Sequence, residues 1–146
     1  EVGFAEHGGW DTHFNQGTEL GAFARNSIDL SNSITALWTD LGTLQDDVTI
    51  MSMTEFGRTV KQNGTGGTDH GRGSCNFILG NDVNGGIVHG IVKPLSVENL
   101  EDGRDLAVTT DFRAVFSEVA NQHLKINNNN ILFPDWKGTK IGVMKA

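Results

Sequence analysis

The sequence predicts one layered α/β domain, and three observations support this fold class. Residues 18–41 place apolar side chains at helical spacing, and residues 111–125 do so again later in the chain. Between them, the short apolar runs 48–53 and 76–80 have the length of buried strands. A chain of 146 residues with the order strand, helix, strand, strand, helix and no internal repeat therefore fits a single α/β unit over residues 1–146.

The first third of the chain is predicted to hold a short strand, a loop and the longer helix. Residues 1–6 fit a strand, and residues 7–17 fit a glycine-rich loop. The helix is predicted to run from Thr18, as its N-cap, to Leu41, and Gly42 would end it in a left-handed turn. Its apolar face consists of Leu20, Phe23, Ala24, Ile28, Ile34, Leu37, Trp38 and Leu41.

The middle of the chain alternates predicted strands with polar loops. The strand 48–53 runs into the polar segment 54–59, and ligand sites in open α/β sheets form at such carboxyl ends of strands. A long loop rich in glycine and threonine, 61–74, precedes the strand 76–80, and residues 86–92 fit a third, weaker strand.

The second helix is predicted from Asp111 to Lys125, after an irregular, charged segment at 96–108. Thr110 is its predicted N-cap, and Asp111 would be favourable at the positive end of the helix dipole. Its buried stripe is predicted to consist of Phe112, Val115, Phe116 and Val119.

Composition narrows the possible partners of the chain. A formal net charge of -7 argues against a nucleic-acid partner, whose phosphates need lysine and arginine, but a bound metal ion would still allow a small anionic substrate. No stretch is long and apolar enough to span a bilayer, and the single cysteine, Cys75, excludes an intrachain disulfide. The chain begins at Glu1 without Met, close to a polar cluster, so we expect a fragment or a processed product.

The dipeptide Asp69-His70 is the most informative feature of the sequence. It lies in the glycine-rich segment 66–71, and glycine lets the backbone approach an ion closely. A carboxylate and an imidazole side by side can occupy two positions on one metal such as zinc, or can be divided between two adjacent metals. The pair is therefore a candidate metal-binding motif.

A second cluster of similar character lies at residues 6–13. Asp11 and His13 are two residues apart, so on an extended segment both side chains point the same way and can share one metal. The alternative is an ordinary turn, with His13 capping the helix that follows. His7 is more simply interpreted as a loop residue, or as a residue that hydrogen-bonds a metal ligand without binding the metal itself.

Glu55 and Arg58 follow the strand 48–53 and are the candidate catalytic residues. Arg58 could bind a phosphate or sulfate with its planar guanidinium. Glu55 could be a metal ligand, an anchor for a histidine, or the partner of Arg58 in a structural ion pair. Arg72 is a further possible anion contact, with an exposed surface arginine as the simpler interpretation.

Other hydrolase signatures are absent from the sequence. It has no Gly-x-Ser-x-Gly elbow and no phosphate-binding loop of the Gly-x4-Gly-Lys-Ser/Thr type. His89, in the weak strand, fits a packed or edge residue better than a ligand, and His123 fits the negative end of a helix dipole. A metal-assisted hydrolase is therefore the leading hypothesis.

Taken together, several motifs resemble the DUF1501 family of uncharacterised bacterial proteins, and the resemblance covers nearly the whole chain. The matching segments are 8–13, 54–59, 67–71, 103–105, 109–113 and 133–134. DUF1501 is in turn similar to the alkaline phosphatase/sulfatase superfamily. That similarity implies an α/β/α sandwich and a site in which two metals assist phosphoryl or sulfuryl transfer.

The resemblance also implies ligands and a location. Asp69 and His70 would correspond to the superfamily's Asp-His metal-ligand motif, and Asp11 and His13 to its other ligand pair, which is usually spaced more widely. The chain resembles only the C-terminal part of the family, so it would lack the nucleophile and be inactive alone. Family members are commonly exported through the twin-arginine route, which implies a periplasmic or extracellular location.

Two functional hypotheses follow from the sequence. In the first, the chain is the C-terminal portion of a hydrolase of small phosphate or sulfate esters, with a divalent metal held by Asp11, His13, Asp69 and His70. Zinc is the first expectation, with manganese or calcium as alternatives. In the second, it is a non-catalytic binding or assembly module that keeps the fold. Its partner would be the missing N-terminal part of the protein or a second copy of the chain.

Overall fold

Two α-helices and two short antiparallel ribbons form the regular framework of the chain. The computed structural model describes residues 1–145. The α-helices and strands are α1 Ala22–Leu41, β1 Ile50–Met51, β2 Gly57–Arg58, β3 His70–Gly71, β4 Ile78–Leu79 and α2 Phe112–Gln122. Three short 3-10 helices, Gly42–Asp47, Val97–Asn99 and Asn129–Ile131, lie in the connections. This mixture of helices and small antiparallel sheets confirms the α/β class.

Each ribbon joins two strands that are distant in sequence. In the first, β1 pairs with β4, and Ile50 lies opposite Leu79. The predicted strands 48–53 and 76–80 are thus confirmed at their centres, with two residues each. In the second, β2 pairs with β3, and Arg58 lies opposite His70. The two strands of this second ribbon lie in the predicted polar segment 54–59 and in the predicted loop 61–74.

Two predicted strands were wrong. Residues 1–6 and 86–92 form no strand in the part of the chain that the structure describes. In 86–92, Gly86 and Gly90 have positive φ angles of 76° and 104°, which interrupt an extended path. Because no neighbouring strand pairs with either segment, their apolar side chains stay exposed, as at Val88, which is 80% exposed.

The N-cap of helix α1 lies three residues later than predicted and is not Thr18. The cap residue is Gly21, whose φ angle of 111° only glycine adopts readily, and it offers no side chain to the helix. The first turn is held by backbone groups instead, since the N–H of Phe23 donates to the carbonyl of Gln16 at 3.0 Å. The predicted end is confirmed: Gly42, with φ of 51°, follows the last residue.

Helix α2 is capped by Asp111 and not, as predicted, by Thr110. The Asp111 side chain accepts a hydrogen bond from the N–H of Arg113 at 2.9 Å, which satisfies one free donor of the first turn. The Arg113 guanidinium, bonded to the same carboxylate, lowers the pKa of Asp111. The helix ends at Gln122, before the predicted Lys125.

The hydrophobic core is small and lies where α2 meets the end of the chain. Its buried members are Val83, Val115, Val143 and Met144. Glu118 of α2, 4% exposed, crosses this contact and accepts hydrogen bonds from three backbone N–H groups, those of Ile141, Gly142 and Met144, at 2.9–3.0 Å. Burial acts to raise the pKa of Glu118, but these donors outweigh it, and the net effect is a lowered pKa.

Much apolar surface remains uncovered. The chain exposes 10306 Å², whereas a monomeric protein of its mass exposes about 7,300 Å². None of the 20 residues of α1 is buried, and Ile28 and Leu37 are 59% and 51% exposed. The amphipathic helix was therefore predicted correctly as a helix, but its apolar side chains have little to pack against within residues 1–145.

We expect Glu118→Gln to lower the free energy of unfolding by about 1–3 kcal/mol, because an amide cannot replace three charge-assisted bonds. Since the folded-state pKa lies below the ordinary value of 4.5, the contribution of Glu118 is full above that pH and is lost as the pH falls through the folded-state pKa. Urea unfolding from pH 7 to pH 3 should therefore show a shallower acid loss in the variant.

The control is Glu19→Gln, which removes the same charge from an exposed position before α1. We expect it to change the free energy of unfolding by less than about 0.5 kcal/mol. Equal stability of the Glu118 variant and the wild type at pH 7 would show that this carboxylate does not hold the chain terminus.

Candidate metal centre

Two loops, residues 11–16 and 63–68, lie side by side and build the floor of the site. They are joined by a bridge between Phe14 and Gly66 and by further backbone hydrogen bonds. These bonds are Asn15 N–H to Thr65 O at 3.1 Å, Gln16 N–H to Gly66 O at 2.9 Å and Thr68 N–H to Thr12 O at 3.2 Å. The pairing brings the two clusters singled out in the sequence next to each other.

Gly67 makes this close approach possible. A Cβ atom at this position would lie 2.2 Å from the carbonyl carbon of His13, far inside van der Waals contact. Any other residue would push the two loops apart and separate His13 from the segment that carries Asp69 and His70. Close packing of the two backbones thus explains why a glycine lies at position 67, shortly before the Asp-His pair.

Three side-chain atoms converge at the centre of the site. Oδ1 of Asp11 lies 3.0 Å from Nε2 of His13 and 2.8 Å from Nε2 of His70, and the two nitrogens are 3.2 Å apart. Atoms bound at about 2.0–2.1 Å around a tetrahedral zinc ion lie about 3.3 Å from one another. The three atoms, called the ligand triangle below, therefore have the chemistry and nearly the spacing of three zinc ligands.

Asp69 lies behind His13 and outside the ligand triangle. Its Oδ1 accepts hydrogen bonds from Nδ1 of His13 and from Nδ2 of Asn63, both at 3.0 Å. These two bonds, that from His13 first, lower the pKa of Asp69. Because a carboxylate only accepts, Nδ1 donates to Asp69, and Nε2 is the ring nitrogen that faces the triangle. The sequence predicted Asp69 as a metal ligand; the structure places it against Nδ1 of His13 and outside the three converging atoms.

Arg58 is bonded to the triangle through Asp11. Its Nη1 donates to Oδ1 of Asp11 at 3.0 Å, and its Nε donates to the hydroxyl of Thr68 at 3.2 Å. Its Nη2 is buried and has no hydrogen-bond partner within residues 1–145. His70 first and Arg58 second lower the pKa of Asp11, so the carboxylate stays ionised, as a metal ligand must. Arg58 thus holds Asp11 in place.

Glu55 is not brought into this group. It is exposed in the bend before β2 and forms no ion pair or hydrogen bond with the described residues. The predicted alternative of a Glu55–Arg58 ion pair is therefore not formed, because Arg58 faces across the ribbon toward Asp11. Its neighbour Phe56 does reach the site, stacking on the ring of His70 with centroids 4.0 Å apart.

Asn63 and Gln16 are structural parts of the site that the sequence analysis missed. Asn63 donates to the carbonyl of His13 at 2.8 Å as well as to Asp69, and its own oxygen accepts from the N–H of Gly67 at 3.0 Å. Gln16 accepts from the hydroxyls of two threonines, one on each loop. Asn63-Gly64 is a typical turn sequence, so Asn63 could have been recognised as a loop anchor. No pattern marks Gln16.

Asp105 anchors the strand that carries His70. It is 1% exposed, and its Oδ2 accepts a hydrogen bond from the N–H of Arg72 at 2.7 Å, directly after β3. The segment 103–105 was noted in the sequence only for its family resemblance. Its structural meaning is that a buried carboxylate fixes the end of the β2–β3 ribbon.

The other three histidines make hydrogen bonds away from the triangle. Nε2 of His7 lies 2.9 Å from Asp29 of α1, while Nδ1 accepts from the indole of Trp10 at 3.0 Å, so His7 ties the first loop to the helix. His89 bonds a backbone carbonyl, and His123 lies 3.2 Å from a threonine hydroxyl. The loop position of His7 and the position of His123 at the end of α2 agree with their interpretation from the sequence, whereas His89 was expected in a strand that does not form within residues 1–145.

Comparison with known proteins gives one match. The family described as "Protein of unknown function (DUF1501)" matches residues 2–132. No curated protein and no solved structure matches the chain. Within residues 1–145, no helix combines the length and the apolar character needed to cross a membrane.

Substitutions can test whether Asp11, His13 and His70 bind a metal and whether Asp69 acts only through His13. We expect His13→Ala to weaken zinc binding by more than about 100-fold, because it removes a ligand. We expect Asp69→Asn to weaken it by about 10- to 100-fold, because the amide holds the imidazole less firmly. Zinc affinity is measured by competition with a chromophoric chelator.

The matched control is His89→Ala, which removes a histidine outside the site and should change zinc affinity by less than about twofold. A loss in Asp69→Asn equal to that in His13→Ala would mean that Asp69 binds the metal directly. Unchanged zinc affinity in all three variants would exclude the triangle as a metal site.

Proposed function

The chain belongs to the DUF1501 family, whose function is unknown, and from its site we propose that it provides the metal-binding part of a hydrolase of small phosphate or sulfate esters. The observation that carries the proposal is the convergence of Asp11, His13 and His70 on one point, with a carboxylate behind one of the histidines. This combination of two imidazoles, one carboxylate and an outer carboxylate is characteristic of zinc sites that keep a position open for chemistry.

The donor set favours zinc over the alternatives. Two imidazole nitrogens and one carboxylate oxygen match zinc, whereas calcium takes six to eight oxygen ligands and manganese also prefers oxygen. Asp11, His13 and His70 would hold the ion, and Asp69 would hold His13. When bound, zinc supplies a Lewis acid that neutralises oxyanion charge and lowers the pKa of a bound nucleophile.

The residues around the triangle have separate parts in the proposed function. Arg58 keeps Asp11 ionised and in position. Phe56 covers one face of the His70 ring and limits its rotation. Glu55 stays a prediction, since it is exposed and has no contact with the triangle. The exposure of the triangle itself, with Asp11 and His70 both open to solvent, suits a site that a small ester can reach.

The finer assignments rest on the resemblance to the alkaline phosphatase/sulfatase superfamily. We propose that residues 1–146 form part of an α/β/α sandwich of that type and that the protein acts in the periplasm or outside the cell. That resemblance also implies that the nucleophile would come from another part of the protein.

Metal content and ester binding test the proposal. Protein purified without chelator should carry about one equivalent of a divalent ion. Phenyl phosphate or phenyl sulfate should bind the metal-loaded form at least about tenfold more tightly than the chelated form. Elemental analysis and titration calorimetry give the two numbers. The hydrolase proposal fails if stoichiometric metal is absent and Asp69→Ala leaves ester binding unchanged.

A second candidate function, an assembly module, is favoured by the uncovered surface. The excess exposed area is about 3,000 Å², more than the roughly 800 Å² per partner that a stable interface removes. The exposed apolar side chains of α1, including Ile28 and Leu37, are the natural contact. In this alternative we propose that a second copy of the chain covers α1.

Sedimentation equilibrium tests this alternative. The wild type should have twice the mass of the 15.8 kDa chain, and Ile28→Glu with Leu37→Glu should shift it to the monomer because buried charge is costly. Val88→Glu, at an exposed apolar residue outside α1, is the control and should remain dimeric. A wild type that is monomeric at all concentrations, or a dimer that the α1 substitutions leave intact, would exclude assembly through this helix.

A further inference from the structure

Two arginines adjoin the candidate metal centre, and they differ in what their guanidinium groups can still bind. Arg58 is mostly buried, with its side chain 22% exposed, and two of its nitrogens are used by Asp11 and Thr68. Its third nitrogen is shielded from solvent. Arg58, the arginine that the sequence predicted to bind an anion, is therefore committed to holding the site together.

Arg104 is anchored on one edge and open on the other. Its Nε donates to Oδ1 of Asp105 at 3.3 Å, and its Nη2 donates to the backbone carbonyl of His70 at 3.4 Å. Its Nη1 makes no hydrogen bond within the described part of the chain, and the side chain is 60% exposed. A planar group held at one edge leaves a free N–H edge for an oxyanion, at little further cost in side-chain entropy.

A tight turn fixes the backbone of Arg104 beside the site. Glu101 and Asp105 form a bridge around Asp102 and Gly103, whose φ angles of 52° and 63° are both positive, as in the turns that close short hairpins. The carbonyl of Arg104 also accepts a hydrogen bond from the N–H of Val60, two residues after β2, at 3.0 Å. The arginine is thus held by backbone contacts to the β2–β3 ribbon that carries His70.

Hydrogen bonding places the charge of Arg104 beside the strand that carries His70. The Nη2 atom of Arg104 donates to the backbone carbonyl of His70, whose side chain is one corner of the ligand triangle. The chain as a whole carries a formal charge of -7, which repels small anions. A local, accessible positive charge is therefore what an anionic ester would need in order to approach this site.

We propose that Arg104 is the residue that binds the tetrahedral oxyanion of the substrate, a phosphate or sulfate group, while Arg58 positions Asp11. This inference rests on the proposed hydrolase function and assigns its anion contact to a different residue from the one the sequence predicted. The free edge of Arg104 would donate to one oxygen of the anion, next to the metal ligands His13 and His70.

Arg72 offers a matched control for this proposal. It lies two residues after His70, its side chain is 66% exposed, and it contacts the same hairpin, but Nη1 is paired with Glu101 at 2.9 Å. Arg104→Gln and Arg72→Gln remove the same charge from the same region. A general charge effect would change anion binding equally in both variants, whereas a specific contact would change it only in the first.

The experiment measures binding of inorganic phosphate and inorganic sulfate by titration calorimetry, with zinc-loaded and with chelator-treated protein. We expect Arg104→Gln to weaken binding of the preferred anion by about tenfold or more, because a charge-assisted hydrogen bond is lost. Zinc affinity should stay within about twofold of the wild type, and Arg72→Gln should weaken anion binding by less than about twofold. The stronger of the two anions identifies the ester class.

Arg104→Lys distinguishes loss of the anion contact from a folding defect in Arg104→Gln. Lysine keeps the positive charge but lacks the planar guanidinium, which can bond along two edges. We therefore expect a circular dichroism spectrum like that of the wild type and an anion affinity between those of the wild type and Arg104→Gln. The inference is overturned if wild-type protein binds neither anion, if Arg104→Gln binds as well as the wild type, or if both glutamine variants lose affinity equally.

Failure of the inference and failure of the proposed function give different results. If anion binding depends on Arg104 but is the same with and without zinc, the Arg104 site is supported and a metal-assisted reaction is contradicted. If anion binding depends on zinc but not on Arg104, the metal centre is supported and the assignment of this arginine is overturned.

Discussion

The close pairing of loops 11–16 and 63–68 is the constraint on which the site depends. Gly67 allows the two backbones to approach, and Asn63 then joins both loops by bonding the His13 carbonyl and the Asp69 carboxylate. Asp11, His13 and His70 come from segments more than 50 residues apart, and none of them is buried enough to be fixed by the core. Their convergence is therefore a property of loop hydrogen bonding, and the small core around α2 contributes only indirectly.

The residues of the candidate metal centre occupy different positions around the ligand triangle. His13 and His70 offer Nε2 atoms and Asp11 one oxygen, all within 3.2 Å of one another. Asp69 sets the tautomer of His13, and outer carboxylates of this kind also raise the basicity of a ligating imidazole. Because Arg58 balances the negative charge of Asp11, the triangle keeps an ionised ligand without an added cation.

Local patterns predicted the parts of this structure that depend on neighbours in sequence. Helical periodicity identified α1 and α2, and apolar runs identified the centres of β1 and β4. The site residues Asp11, His13, Asp69 and His70 were found because a carboxylate and an imidazole lie close together in each of two glycine-rich segments, and the structure brings all four together. Local sequence patterns contain no information about pairing between segments that are distant in the chain. The β2–β3 ribbon and the hydrogen bond from Arg58 to Asp11 depend on such contacts, and the expected strand 86–92 failed because no partner strand pairs with it within residues 1–145.

The most direct test of this account is the anomalous difference density of zinc in crystals of the protein grown with zinc. The account predicts a peak at about 2.0–2.1 Å from Nε2 of His13, Nε2 of His70 and one oxygen of Asp11, with Asp69 outside the coordination shell and still bonded to Nδ1 of His13. A zinc ion bound directly by Asp69, or crystals with no zinc at these three residues, would contradict it.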